Sequence, residues 1–113
     1  MTTIKNKVQL IGNLGKDPEV RHLEGGKVVA NFNIATSDTF VNQQGEKIQN
    51  TQWHSVVAWG NTAKIAEKYL KKGSEVAIQG KLTHRSYEDK NGQTKYISEV
   101  LINEIMLMGS KKN

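Results

Sequence analysis

Seven aromatic side chains carry most of the chemical signal in this chain: Phe32, Phe40, Trp53, Trp59, Tyr69, Tyr87 and Tyr96. An aromatic ring either fills a core or, left exposed, offers a π-face to another ring. Trp53 and Trp59 are six positions apart, so at strand period they share one face, with Ser55 and Val57 between them. His54, Val56 and Ala58 fall on the opposite face and suit the inside of a barrel. Burial and exposure of the two tryptophans both remain open on this pattern. Phe40 leads into the polar turn Gln43-Gln44-Gly45-Glu46, and Tyr87 ends a strand just before a hairpin. Both are poor places to bury a ring. Phe32 lies on an alternating apolar face and Tyr69 on a helical stripe, and both are expected in the core.

Groupings that make or break bonds are missing from the sequence. His22, His54 and His84 are far apart and share no metal-ligand spacing. There is no cysteine, which removes disulfides, thiolate nucleophiles and cysteine-ligated zinc. Leu23-Glu24-Gly25-Gly26-Lys27 lacks the spacing of a phosphate loop and reads as a hairpin. Glu88-Asp89 sits beside a turn, where solvation accounts for it. No enzyme, metal or cofactor is expected, and a nuclease lacks the clustered carboxylates it would require.

Charge points the same way as the rings. Sixteen Lys and Arg face eleven Asp and Glu, a formal net charge of +5 in 113 residues. Such a balance suits a polyanion, because cations displace counterions condensed on a phosphate backbone. Lys72, Arg85, Lys90 and Lys95 lie near the ring positions in sequence. Aromatic platforms in a basic groove are what sequence-tolerant binding of unpaired strands requires, since every base has a π-face and a duplex hides it.

The elements that would position these residues follow a clear order. Lys5–Asn13 puts Val8 and Leu10 on one face and Gln9 and Ile11 on the other, and Gly12, Gly15 and Pro18 break it. Lys27–Thr36 alternates, with Val28, Ala30, Phe32 and Ile34 facing one way and Asn31 and Asn33 the other. Thr51–Gly60 is a third strand. Asn61–Lys72 changes to helical period through the pairs Ile65–Tyr69 and Ala66–Leu70, with Asn61 or Thr62 as cap and Gly73 as closure. Glu75–Tyr87 returns to strand, with Val76, Ile78 and Leu82 on one face and Gly80 marking a bulge or bend. Asp89-Lys90-Asn91-Gly92 is a hairpin turn, and Thr94–Leu107 is the last strand. The order β-β-β-α-β-β predicts an all-β fold: a five-stranded Greek-key OB-fold barrel with one helix between strands 3 and 4. Residues 1–107 form that domain and 108–113 a short polar end. No apolar run reaches membrane-spanning length and no signal peptide opens the chain, so a cytoplasmic, nucleoid-associated protein is expected.

Four segments resemble a known family. Asn6-Lys7-Val8-Gln9-Leu10-Ile11-Gly12-Asn13-Leu14-Gly15-Lys16-Asp17-Pro18-Glu19-Val20-Arg21 is similar to the opening of bacterial single-stranded DNA-binding proteins. So are Ala30-Asn31-Phe32-Asn33-Ile34-Ala35-Thr36-Ser37, Thr51-Gln52-Trp53-His54-Ser55-Val56-Val57 and Tyr69-Leu70-Lys71-Lys72-Gly73-Ser74, in order along Lys5–Leu107. The resemblance implies an OB-fold, assembled as a homotetramer, that coats single-stranded DNA in replication, recombination and repair. It also implies base stacking on Phe40, Trp53, Trp59 and Tyr87, and a DNA path over Lys7, Arg21, Lys72 and Arg85.

There are departures from the family pattern. Phe40 and Tyr87 stand where Trp is frequent, and Trp59 where Phe is common; ring character survives each change. Family members usually end in a long tail with an acidic tip that recruits partners. Here the last residues are Lys111-Lys112-Asn113, so recruitment of replication and repair proteins is not expected. The alternative is a tailless OB-fold accessory module of replication restart, dimeric and acting mainly through protein partners.

Overall fold

The computed structural model describes residues 5–108. Strand β3 (Val28–Val41) is the spine on which the other elements assemble. Its residues Ala30, Phe32 and Ile34 are buried, as period two requires of a strand with one face in a core. It pairs antiparallel with β4 (Lys47–Trp59) from Val29↔Trp59 to Val41↔Lys47. The expected polar turn joins them: the Asn42 carboxamide oxygen accepts from the backbone N–H of Gln44 and Glu46, and Gly45 takes φ 78°.

Along the other edge of β3 lie β1 (Val8–Leu14) and β2 (Glu19–His22). Leu14 pairs with Ile34, and Glu19–His22 pair with Asn31–Val28, so the two pieces occupy the place of a single strand split near Pro18. The second piece carries one apolar side chain, Val20, among charged and polar neighbours and therefore shows no period in the sequence. The segment Leu23–Lys27 is the expected hairpin, closed by the Leu23 N–H on the Lys27 carbonyl at 2.7 Å.

β5 (Glu75–Glu88) pairs antiparallel with β1 and with β6 (Thr94–Leu107), and β6 meets β4 in a short parallel ladder at Val56↔Val100 and Val57↔Leu101. The contact of β1 with both β3 and β5 closes the barrel. Counting the split strand once, five strands form it, and helix α1 (Asn61–Tyr69) lies between the third and fourth.

Gly80 shapes the barrel. The β5–β6 register shifts between Gln79 and Gly80, and a Cβ on Gly80 would run into the backbone carbonyl of Leu101. The shift changes which residues of β6 point inward: Val100 and Ile102 before it, Ile105 after it. A bulge does this because one extra residue inverts the alternation. Leu82, read on one face with Val76 and Ile78, is 40% exposed while those two are buried. Beyond Gly80 the pairing of β5 with β1 ends and, among the described residues, only β6 remains beside it.

Helix α1 corrects three expectations. It starts from Gly60 (φ 64°), with no side-chain cap from Asn61 or Thr62. It ends at Tyr69 rather than Lys72, since Leu70 is already extended, and Gly73 (φ 89°) serves the following turn instead. Its buried side is Ala63 and Ala66, continued by Leu70, while Tyr69 points outward under the Lys68 ammonium, 5.4 Å from the ring centroid. Tyr69 is thus not core: small alanines bring the helix close to the barrel, and a ring on the adjacent face has nothing to pack on. Phe32 is core, as expected.

Both long hairpins outrun the barrel. Among the described residues, Thr36–Val41 pair only with Lys47–Gln52, and Thr83–Glu88 only with Thr94–Glu99. Because β4 and β6 run parallel, these two arms leave the same end of the barrel.

Candidate nucleic-acid interface

The outer face of β3 and β4 is built from cross-strand pairs whose side chains point away from the core. Val29 faces Trp59, Asn31 faces Val57, Asn33 faces Ser55 and Ala35 faces Trp53. Trp53 is 60% exposed and Trp59 48%, so the choice left open by the sequence falls to exposure. The residues between their opposite-face neighbours behave as barrel lining: Val56 and Ala58 are buried, and His54 is half-buried with its Nε2 2.9 Å from the Thr36 hydroxyl. At a strand rise of roughly 3.3 Å the two tryptophans stand about 20 Å apart along β4.

Between them opens a cleft of about 330 Å³. Its floor includes Asn31, Asn33 and Ser55; one wall carries Lys16, Glu19 and Arg21, and the other Arg85, Ile97 and Glu99. The Ser55 hydroxyl donates to the Asn33 carboxamide oxygen at 3.4 Å, and the Arg85 Nε donates to Glu99 Oε2 at 3.1 Å. The wall bearing Arg21 is tied to the helix next door, where His22 Nε2 lies 2.9 Å from Glu67 Oε2. Three cations and two carboxylates line the cleft, with amide and hydroxyl groups that keep donors and acceptors able to hydrogen-bond a polar edge.

The eight residues expected to bind fall into two groups. Arg21 and Arg85 line the cleft, Trp53 and Trp59 share its face, and Tyr87 lies two residues beyond Arg85 on the same face of the β5–β6 arm. Phe40, Lys7 and Lys72 stand outside it. Phe40 is 51% exposed on the β3–β4 arm, but strand parity puts it opposite Ile48 on the other side of the ribbon from Trp53. Lys72 donates its backbone N–H to Asp17 at 2.8 Å, next to Lys16 but not in the cleft. Lys7 precedes β1, beside Asn6, whose carboxamide exchanges two hydrogen bonds with the backbone of Leu82 at the root of the β5–β6 arm. The sequence reading missed Lys16, Asn31, Asn33, Ser55 and Glu99 as residues lining the cleft. The Asn-x-Asn spacing opposite Phe32, and Ser55 between two same-face tryptophans, were the signals available.

A family model described as the single-strand binding protein family matches residues 5–108. The chain belongs to that family. It is 46% identical over 107 residues to single-stranded DNA-binding protein 1 of Chlorobaculum tepidum, a match covering 94% of this chain and 66% of that protein. It therefore spans just under two thirds of that relative's length. The fold is also that of a solved family structure, a Plasmodium falciparum SSB in complex with ssDNA, at TM-score 0.84 and 31% identity over 96% of this chain and 99% of the other. Among the described residues no helix is long and apolar enough to cross a membrane, and no group of three or more His, Asp or Glu could hold a metal ion. Of the polar end expected at 108–113, residues 109–113 lie outside the described residues, as do residues 1–4.

Proposed function

We propose that this protein binds single-stranded DNA with little sequence preference, coating exposed strands during replication, recombination and repair, and carries out no chemical step. The observation that carries this reading is the pair Trp53 and Trp59, exposed on one strand face with a cleft holding Arg21 and Arg85 between them. Exposed rings supply stacking faces for any base, and the cations neutralise phosphates that pass between. Tyr87 extends the track along one arm and Phe40 adds a ring on the other; Lys7 and Lys72 contribute long-range attraction from outside the cleft. The likeness to a single-stranded DNA-binding protein and to an SSB solved with ssDNA supports the ligand. A cytoplasmic, nucleoid-associated location follows from such a role.

The test is a titration with oligo(dT) of several lengths, followed by tryptophan emission. Quenching that saturates at a defined length, with mixed-sequence oligomers competing within a few-fold and duplex far more weakly, supports the reading. Equal affinity for duplex, or no quenching, overturns it.

Self-assembly into a homotetramer forms part of the proposal. The β1 edge from Val8 to Gly12 has β5 on one side and no described strand on the other. Around it, Ile11, Met106 and Leu107 are exposed, and Ile11 and Met106 line a groove with Ile65 and Ala77. An unpaired edge next to an apolar face suits a second copy of the chain.

A further inference from the structure

A carboxylate in a cleft built for a polyanion calls for a reason, and Glu99 is such a carboxylate. Its side chain is 11% exposed, while that of Arg85, to which it is bonded, is 55% exposed. Ordinary surface pairs hold two mobile chains together and contribute little. Here one partner is sunk in the sheet and the other is presented to solvent. Strand register explains how: Glu99 lies directly across from Thr83, Arg85 directly across from Ile97, so Arg85 and Glu99 are diagonal neighbours on one face of the arm. The Thr83 hydroxyl donates to the Glu99 backbone carbonyl at 3.2 Å, which pins the strand beneath the carboxylate.

Resting on the single-strand reading above, we infer that Glu99 is a positioning residue for Arg85 and makes no contact with DNA itself. The guanidinium is planar, with five N–H donors in fixed directions. The bond to Glu99 uses Nε. Planarity then sets the orientation of both Nη groups, whose paired N–H bonds match two oxygens of one phosphate. Without Glu99 the long Arg85 side chain samples many rotamers and must be ordered when DNA arrives. The carboxylate charge opposes binding, and the fixed fork outweighs it.

Substitutions that separate charge from reach decide the matter. Glu99→Gln removes the charge but keeps an oxygen that accepts from Nε. Glu99→Asp keeps the charge but withdraws the acceptor by one methylene. Oligo(dT) affinity is measured across a salt series in both variants, with and without Arg85→Ala, and thermal melting confirms each fold. Positioning predicts that Glu99→Gln stays within about threefold of the native protein, while Glu99→Asp weakens binding about tenfold with a salt slope shallower by about 0.7. It also predicts that neither change matters once Arg85 is gone.

If Glu99→Gln tightens binding and Glu99→Asp leaves it unchanged, the carboxylate merely repels and the inference fails. A loss of equal size in the Arg85→Ala background also overturns it. Failure of the single-strand reading looks different: the native protein does not bind oligo(dT), or Arg85→Ala alone has no effect.

Discussion

The ring of Trp53 fills the space into which a side chain at Gly15 would project: a Cβ there would lie 2.5 Å from Cζ3 and 2.8 Å from Cη2. Gly15 follows β1 directly, and Trp53 stands on β4, so the contact bridges β3 between them. Lys16, next after Gly15 along the chain, lines the cleft wall. Because Trp53 is mostly exposed, the ring can swing away from an added methyl at little cost to the fold. Gly15→Ala should therefore leave the melting temperature nearly unchanged and weaken oligo(dT) binding by about 1 kcal/mol, a part of what one stacked base is worth. A large drop in melting temperature with native affinity would mean that the glycine serves packing alone.

Removing the rings themselves should cost more. Trp53→Ala and Trp59→Ala are each expected to lose about 1–3 kcal/mol of DNA affinity, with little change in stability because neither ring is buried. Denaturant midpoints measured beside the titrations separate the two effects. Native affinity in both variants would remove stacking on β4 from the account.

Salt dependence distinguishes cations inside the cleft from those outside it. Arg21→Ala and Arg85→Ala should each make the log–log slope of affinity against salt shallower by about 0.7, the value for one phosphate on a single strand. Lys72→Ala and Lys7→Ala, at positions outside the cleft, should change it by less than half as much. Equal effects from all four would mean that the strand runs over the loops and not through the cleft.

Gly80 offers a test of the barrel. An added Cβ meets the Leu101 carbonyl and lies 2.8 Å from its carbon, and backbone in a sheet cannot yield as a side chain does. Gly80→Ala should destabilise by about 2–3 kcal/mol, an overpacking cost, and lower the melting temperature by roughly 10–20 °C. A melt within a few degrees of native would show that the register can slip to make room.

How far the sequence speaks depends on whether a signal is local. The turns at Gln43–Glu46 and Asp89–Gly92 were readable because asparagine, aspartate and glycine act on their own backbone neighbours. The alternation of β3, and the shared face of Trp53 and Trp59, needed only period two. What stayed hidden depends on another strand. Exposure of the tryptophans follows from which side of β4 receives the core. Glu99 joins Arg85 only through the β5–β6 register, and while Gly80 marked the bulge, its inversion of the later part of β6 shows only in the pairing. Tyr69 was misplaced because i,i+4 spacing defines a stripe without saying which side of it the barrel takes. The cleft gathers residues from β2 to β6, so no window of sequence contains it.

Assembly can be tested apart from DNA binding. Ile11 and Met106 are exposed on the outer face of the β1–β5–β6 sheet, beside the open edge of β1, at positions that do not line the cleft. Two carboxylates placed there would meet their copies across any symmetric contact, where like charges and lost apolar burial act together. Light scattering of the native protein should give the mass of four chains. The double variant Ile11→Glu/Met106→Glu should fall to two chains or one, while its tryptophans still quench on a short oligo(dT) that one barrel can hold. A native protein of four chains that the double variant leaves intact would place the contact elsewhere. A native dimer would instead favour the accessory module acting through protein partners, and a native monomer would remove self-assembly from the proposal.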